Sequence, residues 1–128
     1  MDWDALKQRS PELYHVAHDG CTEREYSGKY VHTTDRGVYC CAVCDAPLFS
    51  SEDKFNSATG WPSFIAPISK RAVRLQTETD YGMESTQIYC THCSAYLGRV
   101  FHDGPRKLWR IQNRYSLNSV SLVFKKHT

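Results

Sequence analysis

The 128-residue sequence predicts a compact, mainly antiparallel β domain preceded by a short helical arm. Three observations carry that expectation. From residue 37 onward, short segments rich in β-branched and aromatic residues recur, several alternating with period two, and Gly, Pro, Asp and Asn break them. Helix signals are confined to the first 20 residues. Two Cys-x-x-Cys pairs, Cys41 with Cys44 and Cys90 with Cys93, stand 45 residues apart and offer a four-sulfur clamp.

In chain order, residues 2–8 read as a short helix with Trp3 and Leu6 on one face. Ser10-Pro11-Glu12 reads as a second start, Ser10 capping the free N–H groups, Pro11 at the first helical position and Glu12 in the first turn. Gly20 is the natural stop. The sequence thus divides into a helical arm over 1–20 and a single β domain over 21–128. The expected strands lie in 37–43, 72–78, 86–90, 97–101, 109–113 and 119–124. The last of these alternates Val120, Leu122 and Phe124 on one face against Ser119, Ser121 and Val123 on the other.

Length fits one domain. A charged fraction of 23% and 12% aromatic residues exclude a wholly disordered chain. With 16 Lys+Arg against 14 Asp+Glu, a net charge of +2 demands neither nucleic acid nor an anionic membrane as partner. No apolar run approaches the ~18 residues of a membrane span. The N-terminal stretch MDWDALKQRSPELYHVAHDG lacks the apolar core of a signal peptide, so a cytoplasmic protein is expected.

Six cysteines, at 21, 40, 41, 44, 90 and 93, are the excess that points to chemistry. Without an export signal, metal binding or redox chemistry is favoured over a disulfide framework. A Cys-x-x-Cys turn aims two sulfurs at one centre, and two such turns supply the tetrahedral four-thiolate shell of a structural Zn²⁺. The competing readings are two disulfides or one thioredoxin-like dithiol; the latter needs a βαβ context, which is missing. The separation of the pairs exceeds ribbon spacing and predicts an inserted domain between them. His92 is surplus to a full shell. Cys40, adjoining Cys41, leaves its strand on the opposite face as a buried bystander. Cys21, in the polar turn Asp19-Gly20-Cys21-Thr22-Glu23, is either a redox participant or an inert surface thiol.

Four motifs in register then carry a resemblance. Cys41-Ala-Val-Cys44 runs into Asp45-Ala46-Pro47-Leu48-Phe49, and Lys54-Phe55-Asn56-Ser57 leads to Gly60-Trp61-Pro62-Ser63-Phe64. Cys90-x-x-Cys93 precedes Leu97-Gly98-Arg99-Val100-Phe101 and Asp103-Gly104-Pro105, and Arg114-Tyr115-Ser116-Leu117-Asn118-Ser119 follows. From about Ser10 to Phe124 the chain resembles the B-type methionine sulfoxide reductases. The resemblance implies a mostly β fold of two antiparallel sheets with one structural zinc on Cys41, Cys44, Cys90 and Cys93. It implies reduction of methionine-R-sulfoxide, free or in proteins, through a cysteine sulfenic acid recycled by thioredoxin. A monomer with no nucleic-acid or membrane partner is expected.

The resemblance places the nucleophile in the last strand, at the third position of Arg-Tyr-Cys-x-Asn-Ser, and here that position is Ser116. A thiol with a pKa of about 8.5 is a few per cent ionised at neutral pH, and Arg114 would raise that fraction. A serine hydroxyl does not ionise without a strong base and cannot form a sulfenic acid. The chain as written is therefore expected to bind substrate without turnover, as an inactivated variant. The alternative is a natural non-catalytic relative that binds oxidised methionine or a protein partner. By the same resemblance Trp61 is the plate against the sulfoxide methyl group, and Arg114 and Asn118 are polar residues around the nucleophile. Tyr96 and Arg99 stand in a segment where many relatives carry two histidines; both can donate hydrogen bonds to the sulfoxide oxygen, and His102 is a possible substitute. Thr59 occupies the place of a recycling cysteine found in some relatives, which leaves Cys21 as the candidate recycling thiol.

Overall fold

The computed structural model describes residues 2–127, apart from the side chain of Asp80. Two helices, α1 (Trp3–Arg9) and α2 (Pro11–Ala17), open the chain. Asp2 caps α1 by accepting from the Ala5 N–H at 3.0 Å. Ser10 does not cap α2 with its side chain, contrary to expectation. It closes α1 at the same time, its N–H donating to the Leu6 carbonyl at 2.8 Å while its carbonyl accepts from Tyr14. One residue serving both helices is held away from side-chain capping geometry. Leu6, Leu13, Val16 and Ala17 are buried; Leu6, Leu13 and Ala17 join the core cluster of the β strands. Burial of a leucine is worth about 1.5–3 kcal/mol, more than two seven-residue helices could supply from propensity.

Gly20 ends the helical segment as predicted, at φ +74°. Its N–H donates to the Val16 carbonyl at 3.1 Å and that of Cys21 to the His15 carbonyl at 3.0 Å. This paired closure requires a left-handed residue and sets the exit direction of the chain at Cys21.

Eleven strands follow among the described residues: β1 (Gly37–Cys41), β2 (Pro47–Ser50), β3 (Lys54–Phe55), β4 (Ser63–Phe64), β5 (Val73–Asp80), β6 (Met83–Cys90), β7 (Tyr96–Phe101), β8 (Arg106–Lys107), β9 (Arg110–Ile111), β10 (Arg114–Leu117) and β11 (Leu122–Lys126). Two main sheets are antiparallel throughout, as expected. One has the order β11-β1-β2 and the other β3-β4-β10-β7-β6-β5; β8 and β9 form a separate hairpin. Aromatic rings fill the space between the sheets, with Tyr39, Phe49 and Phe64 fully buried and Phe49 stacked on Phe64 at 4.7 Å. No helix among the described residues is long and apolar enough to cross a membrane.

Three local expectations are corrected. The stretch 119–124 is not one strand: Ser119–Ser121 is a 3₁₀ turn, and the strand begins at Leu122. Ser119 and Ser121 are therefore buried rather than solvent-facing, because a turn abolishes the period-two alternation. Ser119 Oγ accepts from the Tyr30 N–H and Ser121 Oγ donates to the Tyr96 carbonyl. Within 109–113 only Arg110–Ile111 is a strand, and Trp109 sits exposed at a hairpin tip. The 45 residues between the cysteine pairs form no separate insert; β2 pairs with β1, while β3 to β6 lie in the second sheet.

Candidate functional site

Two identical turns build the sulfur cluster. At the end of β1, the Cys41 N–H donates to the Ala46 carbonyl and the Asp45 N–H returns to the Cys41 carbonyl, both at 2.8 Å. At the end of β6, Cys90 N–H donates to Ala95 at 2.9 Å and Ser94 N–H to Cys90 at 2.8 Å. Asp45 (φ +69°) and Ser94 (φ +66°) each take the left-handed conformation that reverses the chain after the second cysteine. Cys41, Cys44, Cys90 and Cys93 present four sulfurs, all within 4.8 Å of one another. Cys41 Sγ lies 3.7 Å from Cys93 Sγ, and Cys44 Sγ 3.6 Å from Cys90 Sγ. Four thiolates around a tetrahedral ion with bonds of about 2.3 Å would stand about 3.8 Å apart, so the cluster fits a metal site. His92 is outside it and exposed. Cys40 is buried away from it, and burial pushes its thiol up from the usual value.

A second constellation lies on the six-stranded sheet. Antiparallel pairing sets Ser116 opposite Arg99 and Arg114 opposite Phe101. Alternation along β7 and β10 puts these four on one face, while Val100 and Tyr115 go to the core. Ser116 is thus on β10, not on the last strand; β11 follows it and belongs to the other sheet. Gly98 makes the close approach possible, since a Cβ there would collide with the Ser116 carbonyl oxygen.

The result is a cavity of about 230 Å³ that brings together Trp61, Tyr96, Arg99, Arg114, Ser116 and Asn118. Thr22, Thr59, Gly98, Phe101 and Leu117 complete its wall. Arg114 is fixed by a two-pronged ion pair, Nε to Asp103 Oδ1 at 2.9 Å and Nη2 to Oδ2 at 3.2 Å, and its guanidinium lies 4.2 Å from the Phe101 ring centre. The hydrogen-bonded guanidinium holds the Asp103 carboxyl below its usual range. Tyr96 is buried and packs edge-on against Tyr89. Trp61 Nε1 donates to the Glu23 carbonyl at 3.0 Å. Asn118 is committed to backbone at both ends, Nδ2 donating to the Leu97 carbonyl at 3.1 Å and Oδ1 accepting from the Glu23 N–H at 2.9 Å.

Not every candidate converges. Cys21 is exposed and lines a different cavity, with His15 and Glu23, although its neighbour Thr22 reaches the Ser116 cavity. His102 lies exposed outside the cavity, its Nδ1 within 2.8 Å of Asn113 Oδ1. Glu23 is the residue sequence reasoning missed: its backbone holds Trp61 and Asn118, and its Oε1 accepts from the Val120 N–H at 3.0 Å. A glutamate in a polar turn carries no sequence signal for such a role.

Comparison with known proteins gives the family of the chain. The family model of the SelR domain matches residues 9–126. "Peptide methionine sulfoxide reductase MsrB" of Methanosarcina barkeri is 47% identical over 93% of this chain and 82% of its own length. The Agrobacterium fabrum protein of the same name is 41% identical over 97% and 90% respectively. "Methionine-R-sulfoxide reductase B3, mitochondrial" of Mus musculus is 43% identical over 92% of this chain and 46% of its own. The crystal structure of the Mis18 "Yippee-like" domain covers 73% of this chain and 98% of that one with a TM-score of 0.56; at 17% identity it shares the fold alone. With the SelR match spanning nearly its whole length, the chain belongs to the SelR-domain family, the B-type methionine sulfoxide reductases.

Proposed function

We propose that this fold serves the reduction of methionine-R-sulfoxide and that, with Ser116 at the nucleophile's position, the chain as written binds this substrate without turning it over. The observation that carries the reading is the meeting of Ser116 with Trp61 and Arg114 in one cavity. Trp61 offers an aromatic face to the methyl group, and Tyr96 and Arg99 are donors for the sulfoxide oxygen.

In the cysteine form of residue 116, Arg114 would favour the thiolate. The thiolate attacks the sulfoxide sulfur, oxygen passes to the cysteine, and methionine leaves, so that thiol and sulfoxide become sulfenic acid and sulfide. A second thiol then displaces water from the sulfenic acid to form a disulfide, which an external dithiol reduces. Cys21 is the second thiol in this proposal and thioredoxin the dithiol. The sulfenic acid step is closed to the Ser116 hydroxyl.

The four sulfurs would hold Zn²⁺ as a structural ion, with every position filled by protein. A monomeric, cytoplasmic, thioredoxin-coupled protein belongs to the same proposal. The second reading, a non-catalytic relative that binds oxidised methionine or a protein partner, is favoured by Ser116 together with Tyr96 and Arg99.

Restoring the nucleophile separates the two. Ser116→Cys is expected to reduce the R epimer of methionine sulfoxide with dithiothreitol and leave the S epimer untouched. Absence of reduction with dithiothreitol and with thioredoxin would make the binding-only relative the better account.

A further inference from the structure

Between β7 and β10 the chain projects the β8–β9 hairpin, closed by Leu108 and Trp109. Leu108 is 78% exposed, Trp109 86% and Ile111 53%. Leu108 stands at φ +59°, a conformation that turns normally assign to Asn or Gly. Two large apolar side chains at a turn, one of them left-handed, weaken the turn and gain no burial from the fold. Ile65 borders a groove of about 620 Å³ with the same residues.

Charge is concentrated in the same place. Residues 104–113 hold three cations, Arg106, Lys107 and Arg110, and no Asp or Glu. Arg106, Lys107 and Arg110 are all exposed on the hairpin. The two arms of its base are tied to each other: Gly104 N–H donates to the Gln112 carbonyl at 2.8 Å and Gln112 N–H to the Pro105 carbonyl at 3.0 Å. A Cβ on Gly104 would collide with the carbonyls of Gln112 and Asn113. Phe101 and Arg114, on either side of this base, both line the Ser116 cavity. Asp103, the acid nearest the base, is already occupied by Arg114.

We propose that the β8–β9 hairpin docks an acidic polypeptide segment that flanks the side chain entering the cavity. Trp109, Leu108 and Ile111 would cover apolar residues of that segment, and Arg106, Lys107 and Arg110 would meet its carboxylates. The inference rests on the reading above and names its substrate class: methionine sulfoxide within an acidic stretch of protein. The groove beside Ile65, and the cavity-lining residues Phe101 and Arg114 that flank the hairpin, favour a peptide over an anionic lipid surface, which would engage the tip alone.

The test uses the chain with Ser116 and fluorescence anisotropy. The probes are a labelled acidic nonapeptide centred on methionine sulfoxide and its basic counterpart. The acidic peptide is expected to bind about tenfold more tightly at low salt, the preference shrinking as salt is raised. Leu108→Ser with Trp109→Ser, and separately Arg106→Gln with Lys107→Gln and Arg110→Gln, should each remove most of that preference. Binding of N-acetyl-methionine sulfoxide amide should be unchanged in both. Equal binding of the two peptides, or full retention by both variants, overturns the proposal. So does binding to phosphatidylglycerol vesicles without binding of the acidic peptide, which would make the tip a lipid contact. A separate assay with Ser116→Cys keeps the two readings apart. If it reduces free substrate while hairpin changes leave kcat/KM for the acidic peptide intact, docking falls and the reductase reading stands. If it reduces nothing while the acidic peptide still binds through the hairpin, the reductase reading falls and the docking surface stands.

Discussion

Asn118 Oδ1 accepts the Glu23 N–H at 2.9 Å across 95 residues of sequence. It joins the loop that carries Cys21 and Thr22 to the end of the strand that carries Ser116. The same asparagine donates to the Leu97 carbonyl, and Glu23 also receives Trp61 Nε1, so one buried amide aligns three walls of the cavity. Asn118→Ala should strand a buried N–H and carbonyl, lowering stability by about 2–3 kcal/mol in urea unfolding. Asn118→Asp keeps an acceptor for Glu23 and loses the donor to Leu97. Amide exchange at Glu23 should then quicken in Asn118→Ala and stay protected in Asn118→Asp.

Removal of the metal proposed for the four sulfurs should unfold the protein rather than tune it. The two turns end strands of different sheets, so the sulfur cluster couples both. Structural zinc sites contribute on the order of 10–16 kcal/mol of apparent binding energy, against about 5–15 kcal/mol for a whole domain. Cys44→Ser or Cys90→Ser should lower zinc content and sharply reduce the melting temperature. A metal-free variant melting like the parent would overturn the four-thiolate assignment.

The Asp103–Arg114 pair sets an acid limit with a definite sign. The paired guanidinium lowers the Asp103 carboxyl from its ordinary value of 3.8. A lowered carboxyl contributes stability above its unfolded pKa and loses it as pH falls through the folded one. Because Asp103 is well exposed, the contribution is about 0.2–1 kcal/mol. The stability difference between the parent and Asp103→Asn should stay constant above about pH 5 and vanish in more acid solution.

Cys21 should be the thiol that meets residue 116. After Ser116→Cys, one turnover without reductant should consume two free thiols and leave a disulfide between those positions on peptide mapping. Cys21 lines a neighbouring cavity, and Asn118 Oδ1 tethers its loop through the Glu23 N–H, so Asn118→Ala should accelerate the bond. With Cys21→Ser added, thioredoxin turnover should fall while dithiothreitol activity remains. Undiminished thioredoxin turnover in that double variant would exclude Cys21.

Much of this was legible in local pattern. The spacing in Cys41-Ala-Val-Cys44 and Cys90-Thr-His-Cys93, the strand composition and the left-handed stop at Gly20 are properties of a few consecutive residues. Local geometry is enough to read them. The motifs around Trp61, Arg99, Arg114 and Ser116 named the cavity's members, although the partner set was visible only as a list of positions.

Tertiary structure decided what depends on residues distant in sequence. The fates of Ser119 and Ser121 turned on a 3₁₀ turn that alternation cannot reveal, and they are buried because Tyr30 and Tyr96 supply their partners. Glu23 became a hub because Asn118 and Trp61 fold onto its backbone, and any residue type has a backbone. Cys21 and His102 were placed outside the Ser116 cavity by the helix closure and by Asn113. Sequence by itself determined which chemistry the chain can offer, since that resides in side-chain identity and short spacing. Only the packed fold decided which groups meet, because a hydrogen bond across 95 residues is fixed by the whole core and by no local run.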